Sequence, residues 1–149
     1  MLVRCLYASR MQKALTAAAH NSILESSRKN NAKLGITGVL LTTGTIFVQL
    51  LEGGREEVSK LYNRIVMDPR HKDVVLLVYE EITERRFEGW SMGQVNMDGI
   101  NPAMMLKYSE TATLNPYASS GHATMALLNE LVATGSIICG NATSKGRRG

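Results

Sequence analysis

The sequence predicts an α+β domain with two helices on one face of its sheet. Two amphipathic stretches, about 14–31 and 55–68, each lie between β-rich runs. The runs 36–42 and 46–52 are joined by Thr43-Gly44-Thr45, which reads as a hairpin. Composition is that of a globular chain: 149 residues, 44% hydrophobic and 20% charged, exclude disordered and collagen-like classes and fit one domain. The resulting order, β-α-β-β-α-β plus one more β, is the split-βαβ, ferredoxin-like arrangement, a mixed five-stranded sheet.

The first strand is predicted over 2–8, with Val3, Cys5 and Tyr7 on one face and Leu2, Arg4 and Leu6 on the other. Leu15, Ala19 and Ile23 recur at helical spacing in the first helix, which Gly35 follows. Val58, Leu61, Tyr62 and Ile65 give the second helix its apolar stripe, and Pro69 stops it. Residues 74–80 form an apolar run suited to a central strand, and 89–96 supply a weaker fifth. Beyond Asp98 a short helix around 102–107 and a longer one over 121–134 are expected, the latter capped by Ser119 or Ser120. Its stripe, Met125, Leu128 and Val132, is expected to cover the other face of the sheet. Three units follow: a domain over 1–97, a helical extension over 98–139 and a disordered tail over 140–149.

Several function classes lose their usual signals. Two cysteines, Cys5 and Cys139, cannot make a disulfide scaffold or a cysteine-built zinc site. A net charge of +4 is too weak to argue for nucleic acid, and Lys145, Arg147 and Arg148 of the tail supply three of the positive charges. The start of the chain lacks a secretory h-region and no apolar run is long enough to span a bilayer, so a cytoplasmic protein with no membrane contact is expected. The motifs GxGxxG, Walker A, HExxH and GxSxG are absent. Glu56-Glu57 and Glu80-Glu81 are adjacent in sequence and point apart, which argues against paired acid and base work.

Some residues do not fit a plain core. Gln49 lies between Phe47 and Leu51 on one strand face. It is either an amide over a ligand or, with Phe47 and Leu51 turned to the C-terminal helix, one satisfied by backbone. Asn30 and Asn31 fall on the side of helix one that carries Ile23, and Tyr7 adds a phenol to a similar face. Together Tyr7, Asn31 and Gln49 could present donors and acceptors to a flat heteroaromatic ligand between two helices. Trp90 and Met92 share a face of strand five, where core packing is the plainer role. His20 and His122 read as solvent-facing. His71, in Asp68-Pro69-Arg70-His71, belongs either to a surface ion-pair cluster or to a ligand's phosphate or ribityl chain.

The blocks Leu6-Tyr7-Ala8-Ser9, Asn30-Asn31, 35–41 (GITGVLL), 47–53 (FVQLLEG), Asp68-Pro69-Arg70-His71, Arg86-Phe87 and Trp90-Ser91-Met92, in this order, resemble the BLUF family, sensors of blue light using FAD. The resemblance covers about residues 1–96, and the later segment is similar to that of the short, single-domain members. It implies FAD, or FMN in its place, held non-covalently between the two helices. It further implies a photoswitch of Tyr7, Gln49, Trp90 and Met92, and flavin contacts from Tyr7, Ile23, Asn30, Asn31, Gln49, Arg64, Ile65, Asp68, Arg70, His71 and Met92. A light sensor rather than an enzyme is expected, working as a homo-oligomer on an unidentified downstream signalling protein. The alternatives are a flavin-dependent reductase and an RNA-binding module on the same topology. For the latter, the strands lack the exposed aromatic pattern that stacks bases.

Overall fold

The computed structural model describes residues 1–89, 92–96, 100–134 and 137–138. The expectations for Trp90 and for the tail lie outside these residues. The elements are β1 (Leu2–Met11), α1 (Ala17–Leu34), β2 (Thr37–Thr43), β3 (Ile46–Gly54), α2 (Arg55–Met67), β4 (His71–Ile82), β5 (Gly93–Asn96), α3 (Pro102–Tyr108), α4 (Gly121–Ala133) and β6 (Ile137–Ile138). The sheet order is β4-β1-β3-β2-β5-β6. β1 runs antiparallel to β3 and β4, β2 antiparallel to β3, and β5 parallel to β2. This is the expected ferredoxin-like core with its mixed fifth strand. β6 is a sixth strand that the sequence did not announce, because two residues carry no periodicity.

Alternation along β1 and β3 separates two cores. Val3, Cys5, Tyr7, Phe47 and Leu51 pack under α1 and α2 with Leu24 and Val58. Leu6, Ala8, Val48 and Leu50 pack under α4 with Leu127, Leu128 and Leu131. Each of these α4 leucines is fully buried, worth about 1.5–3 kcal/mol of apolar transfer apiece. That burial holds the C-terminal segment on the sheet, as expected. The buried stripe of α4 is nevertheless Thr124, Leu127, Leu128 and Leu131, with Met125 and Val132 on its flanks. Ser120 caps α4, its Oγ accepting the Ala123 N–H at 3.0 Å.

Two other expectations are corrected. Thr16 caps α1, so the helix starts at Ala17 and Leu15 lies before it; the fully buried positions are Leu24 and Asn31. The helix ends at Gly35, whose φ of 68° is the left-handed conformation glycine adopts freely. β4 is an edge strand rather than a central one. Val75, Leu76 and Tyr79 are 38%, 49% and 42% exposed, and a continuous apolar run alone does not distinguish the two placements.

Gly121 lets α4 approach β4 closely. A Cβ there would lie 2.5 Å from the Leu77 carbonyl oxygen and 2.7 Å from Val78 Cγ2. Gly121→Ala is therefore expected to destabilise the chain by about 1–3 kcal/mol through displacement of α4, read as a lower midpoint in urea unfolding.

Candidate functional site

A cavity of about 310 Å3 opens between α1 and α2 above the front of the sheet. Its walls combine Ile23, Leu40, Phe47, Leu61 and Ile65 with the polar groups of Tyr7, Asn30, Asn31, Gln49, Arg64, Asp68, Arg70 and His71. All the expected contact residues except Met92 thus meet on one cavity. Asn31 and Gln49 are 3% and 7% exposed, whereas Asn30, one position further around α1, is exposed at the rim. The expectation that both asparagines lie on the buried side holds for Asn31 alone.

Gln49 faces the helices with Phe47 and Leu51, which settles its face in favour of the cavity. Tyr7 and Gln49 are directly paired across β1 and β3, and the Tyr7 hydroxyl donates to Gln49 Oε1. Burial pushes the phenol's pKa far up, with Cys5 and Tyr62 adding to the shift, so Tyr7 is a neutral donor. The Tyr62 ring meets Tyr7 edge-on at 5.6 Å between centroids. Gln49 Nε2 donates to Met92 Sδ at 3.6 Å. Met92 is fully buried behind the Gln49 amide, packed in the cluster that holds Tyr7, Leu40 and Phe47, and is not among the residues that line the cavity.

Helix α1 also holds the approach to β5. Arg28 Nε donates to the Met92 carbonyl at 3.1 Å, and His20 Nε2 lies 2.9 Å from Gln94 Nε2. His20 is therefore half-buried rather than solvent-facing, and burial, helped by Arg28, lowers its pKa.

The cavity rim is charged. Arg70 donates from Nε and Nη2 to the Asp68 carboxylate, at 3.1 and 2.7 Å, and these bonds hold the carboxyl at about 2. His71 belongs to the cavity wall rather than to that ion pair alone. Its Nδ1 lies 2.8 Å from Ser9 Oγ, and its ring meets Phe47 edge-on. Burial lowers its pKa from the ordinary 6.5; Asp68 partly offsets this and Arg70 adds to it, each by less than burial does. The unfolded chain takes up this proton first, so the stabilisation is complete above about 6.5 and drains away as pH falls through the lower folded value. Melting temperature should therefore fall between pH 7 and 5, with a smaller slope in His71→Asn.

Sequence reasoning missed Ser22, Ser26 and Ser27 on the cavity wall, and Ser9 beneath it. The four-residue spacing of Ser22, Ser26 and Asn30 was the available signal, as was the alternation that puts Ser9 on the face of Tyr7. Among the described residues no group of His, Cys, Asp and Glu could hold a metal ion, and no helix is long and apolar enough to cross a membrane.

The sequence is 35% identical over 92 residues to photoactivated adenylate cyclase subunit beta of Euglena longa, covering 61% of this chain and 11% of that protein. It is 33% identical over 87 residues to the blue light- and temperature-regulated antirepressor BluF of Escherichia coli, covering 58% and 22%. The chain thus spans less than a quarter of either curated relative. The dark-state structure of BlrB, a BLUF protein, superposes with a TM-score of 0.74 at 35% identity, covering 90% of this chain and 96% of that one. The photo-activated state of BlsA superposes with a TM-score of 0.74 at 32% identity, covering 88% and 94%. The family model for sensors of blue light using FAD matches residues 2–93, and the chain belongs to this BLUF family of blue-light flavin sensors.

Proposed function

We propose that the chain is a photoreceptor that holds FAD between α1 and α2 and signals through β5 and the C-terminal helices to a separate protein. The observation that carries this reading is the buried Tyr7–Gln49–Met92 chain of hydrogen bonds at the cavity floor. The donor set fits a flavin ring. Asn31 offers a planar amide complementary to adjacent carbonyl and N–H groups, and Ile23, Leu40 and Ile65 offer apolar surface for a flat heterocycle. Arg64, Arg70 and His71 at the mouth suit a phosphorylated tail, which FAD and FMN share.

When bound, the flavin supplies the blue-absorbing group that becomes an oxidant on excitation. Tyr7 gives up an electron and its phenolic proton, the proton leaving Oη toward Gln49 Oε1. When both return, the Gln49 amide has turned or tautomerised. A turned amide presents its oxygen to Met92 Sδ, and a thioether has no proton to donate, so the contact with Met92 is lost. The state of one side chain is thereby converted into the position of the segment that leads into β5.

Residues 1–97 act as the sensor and 98–139 as the element that passes the change on. Homo-oligomer formation through the C-terminal helices belongs to this reading. An absorption spectrum of the purified yellow protein before and after blue light tests it, with a reversible red shift of the flavin band expected. A spectrum unchanged by light, together with steady NAD(P)H oxidation in the dark, would overturn it in favour of a reductase.

A further inference from the structure

Glu52 is a carboxylate with no exposed surface, on the sheet face opposite the cavity. Its Oε2 accepts from Arg4 Nε at 2.8 Å and Nη2 at 2.7 Å. The third guanidinium nitrogen of Arg4 reaches Glu80 on β4 at 2.8 Å. Oε1 of Glu52 accepts the backbone N–H groups of both Arg86 and Phe87 at 2.9 Å. One side chain thus fixes the connection between β4 and β5 to the sheet, five residues before Met92. The Arg86 side chain continues to Asn129 Oδ1 on α4 at 2.9 Å, while Phe87 is buried among the α4 leucines. Met92 at the far end is held by Gln49 and Arg28.

Resting on the photosensor reading, we propose that Glu52 is a positioning residue of the photoswitch: it anchors the segment that places Met92 against Gln49 and couples that segment to α4 through Arg86 and Asn129. Loss of the Gln49–Met92 contact leaves Met92 with its bond from Arg28 while Arg86 and Phe87 stay pinned to Glu52, so a shift at Met92 loads the Arg86–Asn129 contact. A buried ion pair need not stabilise a fold more than apolar residues of similar volume would. What Glu52 supplies beyond that is one acceptor shared by two backbone donors, the buried Phe87 N–H and the part-buried Arg86 N–H.

Two charge-free pairs separate these contributions. Arg4→Gln/Glu52→Gln keeps an oxygen for the Arg86 and Phe87 N–H groups and is expected to recover in the dark within about twofold of the parent. Arg4→Met/Glu52→Leu removes that oxygen and is expected to change the recovery rate about tenfold or more, with faster amide exchange at Phe87 and Met92 in the dark. Asn129→Ala leaves the spectrum and recovery unchanged and abolishes the light-induced change in α4 amide exchange; it tests the coupling even if the leucine pair fails to fold. Parent-like recovery of the leucine pair, or a parent-like α4 response in Asn129→Ala, overturns the assignment while leaving the photosensor reading intact. Absence of any light-induced shift in the parent chain overturns the photosensor reading itself.

Discussion

Replacing Gln49 with Ala is expected to abolish the light-induced red shift while leaving flavin bound. The amide is the only described partner of the Tyr7 hydroxyl, and Tyr7 is 1% exposed. Its loss leaves a buried phenol without an acceptor, at about 1–3 kcal/mol, with a further cost for the space left behind. Tyr7→Phe should abolish the shift as well, because the proton and electron have no source, yet destabilise less, by about 1 kcal/mol. Difference spectra report the first effect and urea unfolding the second. A parent-like photocycle in either variant would contradict the roles proposed for this pair.

The largest loss of stability is expected from Arg4→Met. It strips the cation that, among the described residues, pairs with a carboxylate with no exposed surface, while Glu80, half exposed, can turn to water. Breaking a buried pair from one side costs about 3–5 kcal/mol. Removing both charges as Arg4→Met/Glu52→Leu should give a more stable protein than Arg4→Met alone, because the orphaned backbone donors cost less than an unpaired buried carboxylate. Urea midpoints of the parent and both variants decide the order, and a single variant as stable as the parent would show that water reaches Glu52.

The order of elements was legible because it rests on local pattern: alternation in β1 and β3, the stripe of Val58, Leu61, Tyr62 and Ile65 in α2, and the caps at Gly35 and Ser120. Tyr7, Asn31 and Gln49 were legible because a polar group on an apolar face is conspicuous in sequence. The edge position of β4 was not, since hydrophobicity records how apolar a strand is and not how many neighbours it has. Nor was the place of Met92 behind Gln49, which depends on contacts across 43 residues of sequence. Glu52 read as part of a family block, and no pattern along the chain reveals that it would meet Arg4, Arg86 and Phe87.

The outer edge of β4 bears on solubility. A long edge strand with exposed Val75, Leu76 and Tyr79 is the kind of template on which chains stack into aggregates. Asp73 interrupts it: its backbone lies at φ 52°, and the pairing with β1 shifts register between Ala8 and Arg10. Tyr117 Oη donates to the Asp73 carbonyl at 2.8 Å, occupying a backbone acceptor at the start of the strand. Lys72 precedes the apolar run and Glu80 and Glu81 follow it, so a second strand laid along this edge would meet a kink and charge. The same irregularity that interrupts the ladder with β1, which resumes at Arg10 and Lys72, therefore guards the protein against its own stickiest strand.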